Sequence, residues 1–201
     1  MSAHIPTATL ALSPDEKPIY YLPGHGGVLH KGLGAALLAR GHEVMGRETM
    51  GEFNRLPFGQ QVEVIAQDLT AHFAQSDAQV IANSFGAYLF MHAQAQMPPF
   101  AGRVLLLSPI VGEFGSDELQ GKTHLNFIPP RADLLYELAK NGTYPIPQNA
   151  EFHVGSEDWQ SNPTNVLALA QMWGVQAHVV PGSGHAIDRI YITQLLDRWL
   201  T

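Results

Sequence analysis

Short apolar runs alternate with amphipathic stretches along most of this chain. The first clear run is Ile19-Tyr20-Tyr21-Leu22, followed by the loop Pro23-Gly24-His25-Gly26-Gly27 and helical spacing from Leu33 to Arg40. Gly41 ends that helix, and a second strand is expected at about Glu43 to Met45. Pro57 precedes a long helix from Phe58 to about Gln75. In it Val62, Ile65, Ala66, Leu69 and Phe73 recur at helical spacing and mark one buried face. A third strand starts at Gln79 and runs directly into a helix that Pro98-Pro99 stops. Arg103 to Ser108 is a further strand, after which the alternation lapses from 109 to 147. Prolines and glycines interrupt that stretch, and one helix, Ala132 to Lys140, stands out in it. Strand Glu151–Val154, helix Thr164–Trp173, strand Gln176–Val180 and a last helix from about Ile187 to Leu200 restore the pattern.

Strands that alternate with helices pair in parallel through right-handed crossovers. The expectation is therefore an α/β protein with a doubly wound, mainly parallel sheet of about six strands and helices on both faces. No repeat or low-complexity linker divides the chain, so residues 1–201 read as a single domain. Residues 1–18 read as a loose N-terminal segment, and 109–147 as an irregular insertion or partial lid over the carboxyl ends of the strands. Ligands bind at those ends in such sheets, and long loops there are usually functional.

Composition narrows the functional classes. An apolar fraction of 45% with only 14% charged residues suits a buried sheet. A net charge of −7 without any basic stripe argues against nucleic acid as a partner. The absence of cysteine removes disulfides, thiolate metal sites and a cysteine nucleophile. Neither a secretory leader nor an apolar run long enough to span a bilayer is apparent, which makes a cytoplasmic protein the expectation. Glycines 24 and 26 invite a dinucleotide reading, but Leu29 stands where its third glycine belongs. A phosphate loop fails likewise, because Leu33-Gly34 occupy the Lys-Ser/Thr positions. No cofactor or metal is implied: the histidines other than His185 are scattered without HExxH or another metal-ligand spacing, and most read as surface or packing residues.

The strand-to-helix corner Ala82-Asn83-Ser84-Phe85-Gly86-Ala87 carries more chemistry. Small residues two before and two after the serine allow a sharp turn that pushes Ser84 above the sheet edge. A plain helix cap is the other reading of that serine. The corner resembles the nucleophile elbow of the α/β-hydrolases, with Ala82 where the usual G-x-S-x-G pattern has its first glycine.

The resemblance extends through the chain from Ile19 onward. Gly155-Ser156-Glu157-Asp158-Trp159 is similar to the family's acid loop, which makes Asp158 the expected acid and Glu157 its competitor. Gly182-Ser183-Gly184-His185 is similar to the histidine loop, which makes His185 the expected base. The family further implies an oxyanion hole formed by the amide of Phe85 and a second amide from the loop after Leu22. That second donor is expected to be His25, because the apolar strand ends at Leu22 and leaves two residues before it; Gly27 is the alternative. Phe114, Leu125, Phe127, Ile128 and Trp159 are candidates to line a fairly open pocket. The implied activity is hydrolysis of a carboxylic ester through Ser84, His185, Asp158 and an acyl-enzyme, with a small-molecule acyl substrate. A thioesterase or acyltransferase using the same residues, or a non-catalytic binding scaffold, is the alternative.

Overall fold

The computed structural model describes residues 8–10, 18–111 and 149–201. The strands are β1 (Ala8–Leu10), β2 (Ile19–Leu22), β3 (Val44–Gly46), β4 (Gln79–Asn83), β5 (Arg103–Leu107), β6 (Asn149–Gly155) and β7 (Gln176–Val180). The helices are α1 (Gly32–Leu38), α2 (Gly51–Arg55), α3 (Phe58–His72), α4 (Phe85–Gln94), α5 (Pro163–Trp173) and α6 (Arg189–Trp199). They build one sheet in the order β1-β3-β2-β4-β5-β6-β7. The six strands from β2 to β7 pair in parallel, as expected for a doubly wound sheet.

Two details depart from the sequence reading. Residues 8–10, placed in a loose leader, instead add an antiparallel edge strand on β3. The polar stretch before Pro57 contains the five-residue helix α2, too short for periodicity to announce. Of the irregular segment, Pro109 to Val111 are described, with Ile110 and Val111 buried. The rest of the expected lid, including helix 132–140, lies outside the described residues. Among the described residues no helix is long and apolar enough to cross a membrane.

Period-two alternation in the strands divides the core between two faces. Ile19 and Tyr21 of β2, Ile81 of β4 and Leu105 of β5 join Leu37 of α1 and Leu195, Leu196 and Trp199 of α6. Tyr20, Leu22, Val80, Ala82 and Leu106 point the other way, onto α3, α4 and α5. The five apolar residues read along α3 are all buried there. A polar tie reinforces this face: Asp68 of α3 accepts hydrogen bonds from the Tyr20 hydroxyl at 2.7 Å and from Nε and Nη2 of Arg47, each at 2.6 Å.

Helix α4 is buried along its whole length behind β4. That burial captures His92, whose ring packs against Tyr88 and Phe58 and whose Nε2 has no hydrogen-bond partner among the described residues. Desolvation lowers its pKa from 6.5 to about 4. The unfolded chain therefore takes up this proton at a higher pH than the folded one. Stability from this group is complete above about pH 6.5 and is lost as pH falls toward about 4. A shift of this size corresponds to roughly 3 kcal/mol. Urea denaturation at pH 7 and pH 4.5 should show the loss, and His92→Leu should flatten the difference. An equally steep profile in that variant would refute the assignment.

Candidate active site

The corner after β4 is held in a strained conformation. Ser84 has φ 51° and ψ −115°, outside the regions open to ordinary L-residues. Its amide donates to Leu107 O at 2.9 Å, and its carbonyl accepts from the Tyr88 amide at 3.1 Å. Gly86 is obligatory for close packing, because a Cβ there would lie 2.2 Å from Leu22 O and 2.5 Å from Pro23 O. The fully buried Ala82 shows that a methyl group is tolerated at the other small position.

The loop after β2 runs beside this serine, and a Cβ on Gly24 would touch the Ser84 Cβ at 3.4 Å. Thr49, fully buried, clamps the loop. Its carbonyl accepts from the Gly26 amide, its amide donates to Gly27 O, and its hydroxyl donates to Gly24 O. The Gly27 amide faces inward, within 2.9 Å of Gly24 O and 3.0 Å of Thr49 Oγ1. The His25 ring packs edge-on against Phe85, with centroids 5.8 Å apart.

The acid and histidine loops are stitched together beneath Ser84. A Cβ on Gly155 would fall 2.1 Å from Ser183 O and 2.3 Å from Gly184 O, so only glycine permits this crossing. The Glu157 amide donates to Ser183 O and the Gly182 amide to Ser156 Oγ, both at 2.9 Å. Within this frame Asp158 is buried while Glu157 is exposed. Both Asp158 carboxylate oxygens lie 3.0 Å from His185 Nδ1, and His185 Nε2 lies 2.7 Å from Ser84 Oγ. With the carboxylate at Nδ1, that nitrogen carries the proton, so Nε2 accepts from the Ser84 hydroxyl.

Burial acts to raise the Asp158 pKa, but contacts with His185 and with the amide and hydroxyl of Ser161 outweigh it. The net result is a carboxyl held below the usual range. Oδ1 also accepts the amides of Gln160 and Ser161, each at 2.9 Å.

Two further serines support the histidine and were not foreseen from sequence. Ser108, at φ 43°, donates its hydroxyl to His185 O at 2.8 Å. Ser161 donates to Ser108 O at 2.7 Å, with its oxygen 3.4 Å from His185 Nδ1. The only hint for Ser108 is its position after an apolar strand, which Ser84 shares. A cleft of about 610 Å³ opens beside His185, walled by Leu33, Ala36, Leu107, Ile187 and Ile192, with Asn83, Arg189 and Thr193 as polar members. Trp159, proposed from sequence as a pocket residue, is 46% exposed and is not among the residues lining that cleft. Phe114, Leu125, Phe127 and Ile128 lie outside the described residues.

No protein-family model matches this sequence, and no curated protein matches it by sequence. Solved structures match closely in three dimensions. An α/β-hydrolase enzyme from the metagenome of lagoon sediments at Mar Chica, Morocco, superposes with a TM-score of 0.66 at 16% identity, covering 96% of this chain and 93% of that one. A monoacylglycerol lipase of Paleococcus ferrophilus gives 0.68 at 12% identity, over 96% of this chain and 97% of that one. The thioesterase domain of the curacin biosynthetic pathway gives 0.64 at 13% identity, over 97% and 94%. The chain has the α/β-hydrolase fold.

Proposed function

We propose that this chain is a serine hydrolase that cleaves carboxylic esters through an acyl-enzyme. The observation that carries this reading is the 2.7 Å contact of Ser84 Oγ with His185 Nε2, made from a positive-φ turn at the end of β4. In this mechanism His185 takes the Ser84 proton as Oγ attacks the acyl carbonyl. Asp158 stabilises the imidazolium and fixes its orientation. His185 then protonates the departing alkoxide. A water molecule, deprotonated by His185, attacks the acyl-enzyme, and the acid leaves as Ser84 regains its proton.

The tetrahedral oxyanion accepts hydrogen bonds from two backbone amides. Phe85 supplies one, at the start of α4. His25, separated from the end of β2 by Pro23 and Gly24, is the second donor in this reading, and the Gly27 amide bonds to Gly24 O and Thr49 Oγ1. The apolar wall of the cleft beside His185 suits a short acyl chain. Thioester hydrolysis by the same groups is the second reading, favoured by the likeness to the curacin thioesterase domain.

Labelling with a fluorophosphonate probe tests the proposal directly. The native chain should label stoichiometrically and hydrolyse p-nitrophenyl butyrate faster than p-nitrophenyl dodecanoate. Failure to label would remove the nucleophile and with it the hydrolase reading. Equal rates on both esters would leave the chemistry and discard the acyl preference.

A further inference from the structure

Away from the triad, β6 and β7 bring together three side chains that the hydrolase reading does not use. Glu151 and His153 are two residues apart on β6 and therefore share a face of the sheet. The parallel register sets His153 directly opposite His178 of β7. One ligand-type atom from each of the three residues lies within 4.8 Å of the other two. Glu151 Oε1 is 2.6 Å from His153 Nε2 and 3.9 Å from His178 Nε2. The two imidazoles stack with centroids 4.6 Å apart and planes 14° from parallel, and in each it is Nε2 that lies near Glu151 Oε1.

We propose that Glu151, His153 and His178 form a binding site for one divalent transition-metal ion of the zinc class. Two imidazoles and one carboxylate are a donor set such ions favour. Bonds of about 2.0–2.1 Å in a tetrahedral site put ligand atoms roughly 3.3 Å apart, a spacing bracketed by the two contacts to Glu151. Because the stacked rings hold their Nε2 lone pairs in nearly parallel planes, the partly exposed His178 ring turns about its side-chain torsions for both to meet one ion.

The surroundings fit the assignment. His153 is fully buried, and its Nδ1 lies 2.7 Å from the Tyr191 hydroxyl of α6, the kind of outer partner that orients a metal-bound imidazole. On coordination the His153 ring proton resides on Nδ1 and is donated to the tyrosine oxygen. The His178 side chain is 40% exposed, which gives the ion a route from solvent and leaves a fourth position for water. Arg198 contacts Glu151 Oε1 at 2.6 Å, but its side chain is 62% exposed. An arginine so open to water gives up such a contact at little cost. The bound ion would tie together the two strands that lead into the acid and histidine loops.

The test needs no catalytic activity. Chelator-treated full-length protein is titrated with Zn²⁺ by equilibrium dialysis and with Co²⁺ by visible spectroscopy. The expected result is one ion per chain at micromolar affinity or tighter, with intense cobalt bands characteristic of a tetrahedral centre. His178→Ala and Glu151→Gln should each weaken binding at least 30-fold, whereas His72→Ala, at an exposed position of α3, should not. His178 is half-exposed, so its variant should retain the native melting profile. Absence of stoichiometric binding, or binding unchanged in the His178→Ala, Glu151→Gln double variant, would overturn the site. Either outcome is independent of whether Ser84 labels.

Discussion

Ser84→Ala is expected to abolish fluorophosphonate labelling and to lower ester turnover by roughly 10⁴–10⁶-fold, as loss of the nucleophile does in other triads. The substitution removes one oxygen atom and leaves the turn intact. Its Cβ already occupies the corner, and the backbone bonds from the Ser84 amide to Leu107 O and from the Tyr88 amide to Ser84 O do not involve the side chain. The strain of φ 51° remains in the variant, so alanine neither relieves nor adds to it. What disappears is the hydroxyl 2.7 Å from His185 Nε2. Urea midpoints for the two proteins should therefore differ by no more than about 1 kcal/mol in stability, the usual worth of one hydrogen bond. Retention of more than a hundredth of the native turnover by a correctly folded Ser84→Ala protein would mean that the reaction runs elsewhere.

The elements around this serine were legible because each is a local event. An apolar run followed by glycine or serine and then a helix marks a strand end, and Ser84, Asp158 and the loop leading to His185 all sit at such ends. The choice between Asp158 and Glu157 was not local. It depends on Gly155 letting the histidine loop cross within van der Waals distance, which turns Asp158 inward and Glu157 to solvent. Ser108, Ser161 and Thr49 were missed for the same reason. Each acts through a backbone atom of a distant segment, and no spacing in the chain encodes those meetings. The pairing of His153 with His178 arises from the register of two parallel strands. A search for ligands along one helix or one loop passes over it. Edge strand β1 escaped notice because three residues carry too little periodicity to register.

Asp158→Asn should lower turnover by about 10⁴-fold, the loss typical when a triad acid is made neutral, while Glu157→Gln should leave it within about twofold. The asparagine oxygen can still accept the amides of Gln160 and Ser161 that now bind Asp158 Oδ1. That arrangement turns its NH₂ group toward His185 Nδ1, which must then act as an acceptor. The ring proton moves to Nε2, and the nitrogen facing Ser84 Oγ can no longer take the serine proton. The acid side of the pH–stability profile should change as well. The folded-state carboxyl of Asp158 titrates below its usual range, so its contribution to stability is present above the ordinary carboxylate pKa. That contribution is lost as pH falls through the depressed folded value. Asp158→Asn should remove this part of the acid limb, measured as the change in urea midpoint between pH 5 and pH 3, and Glu157→Gln should retain it. A variant pair in which Glu157→Gln loses turnover and Asp158→Asn keeps it would transfer the acid's role to the neighbouring residue, against the burial and hydrogen bonding of Asp158.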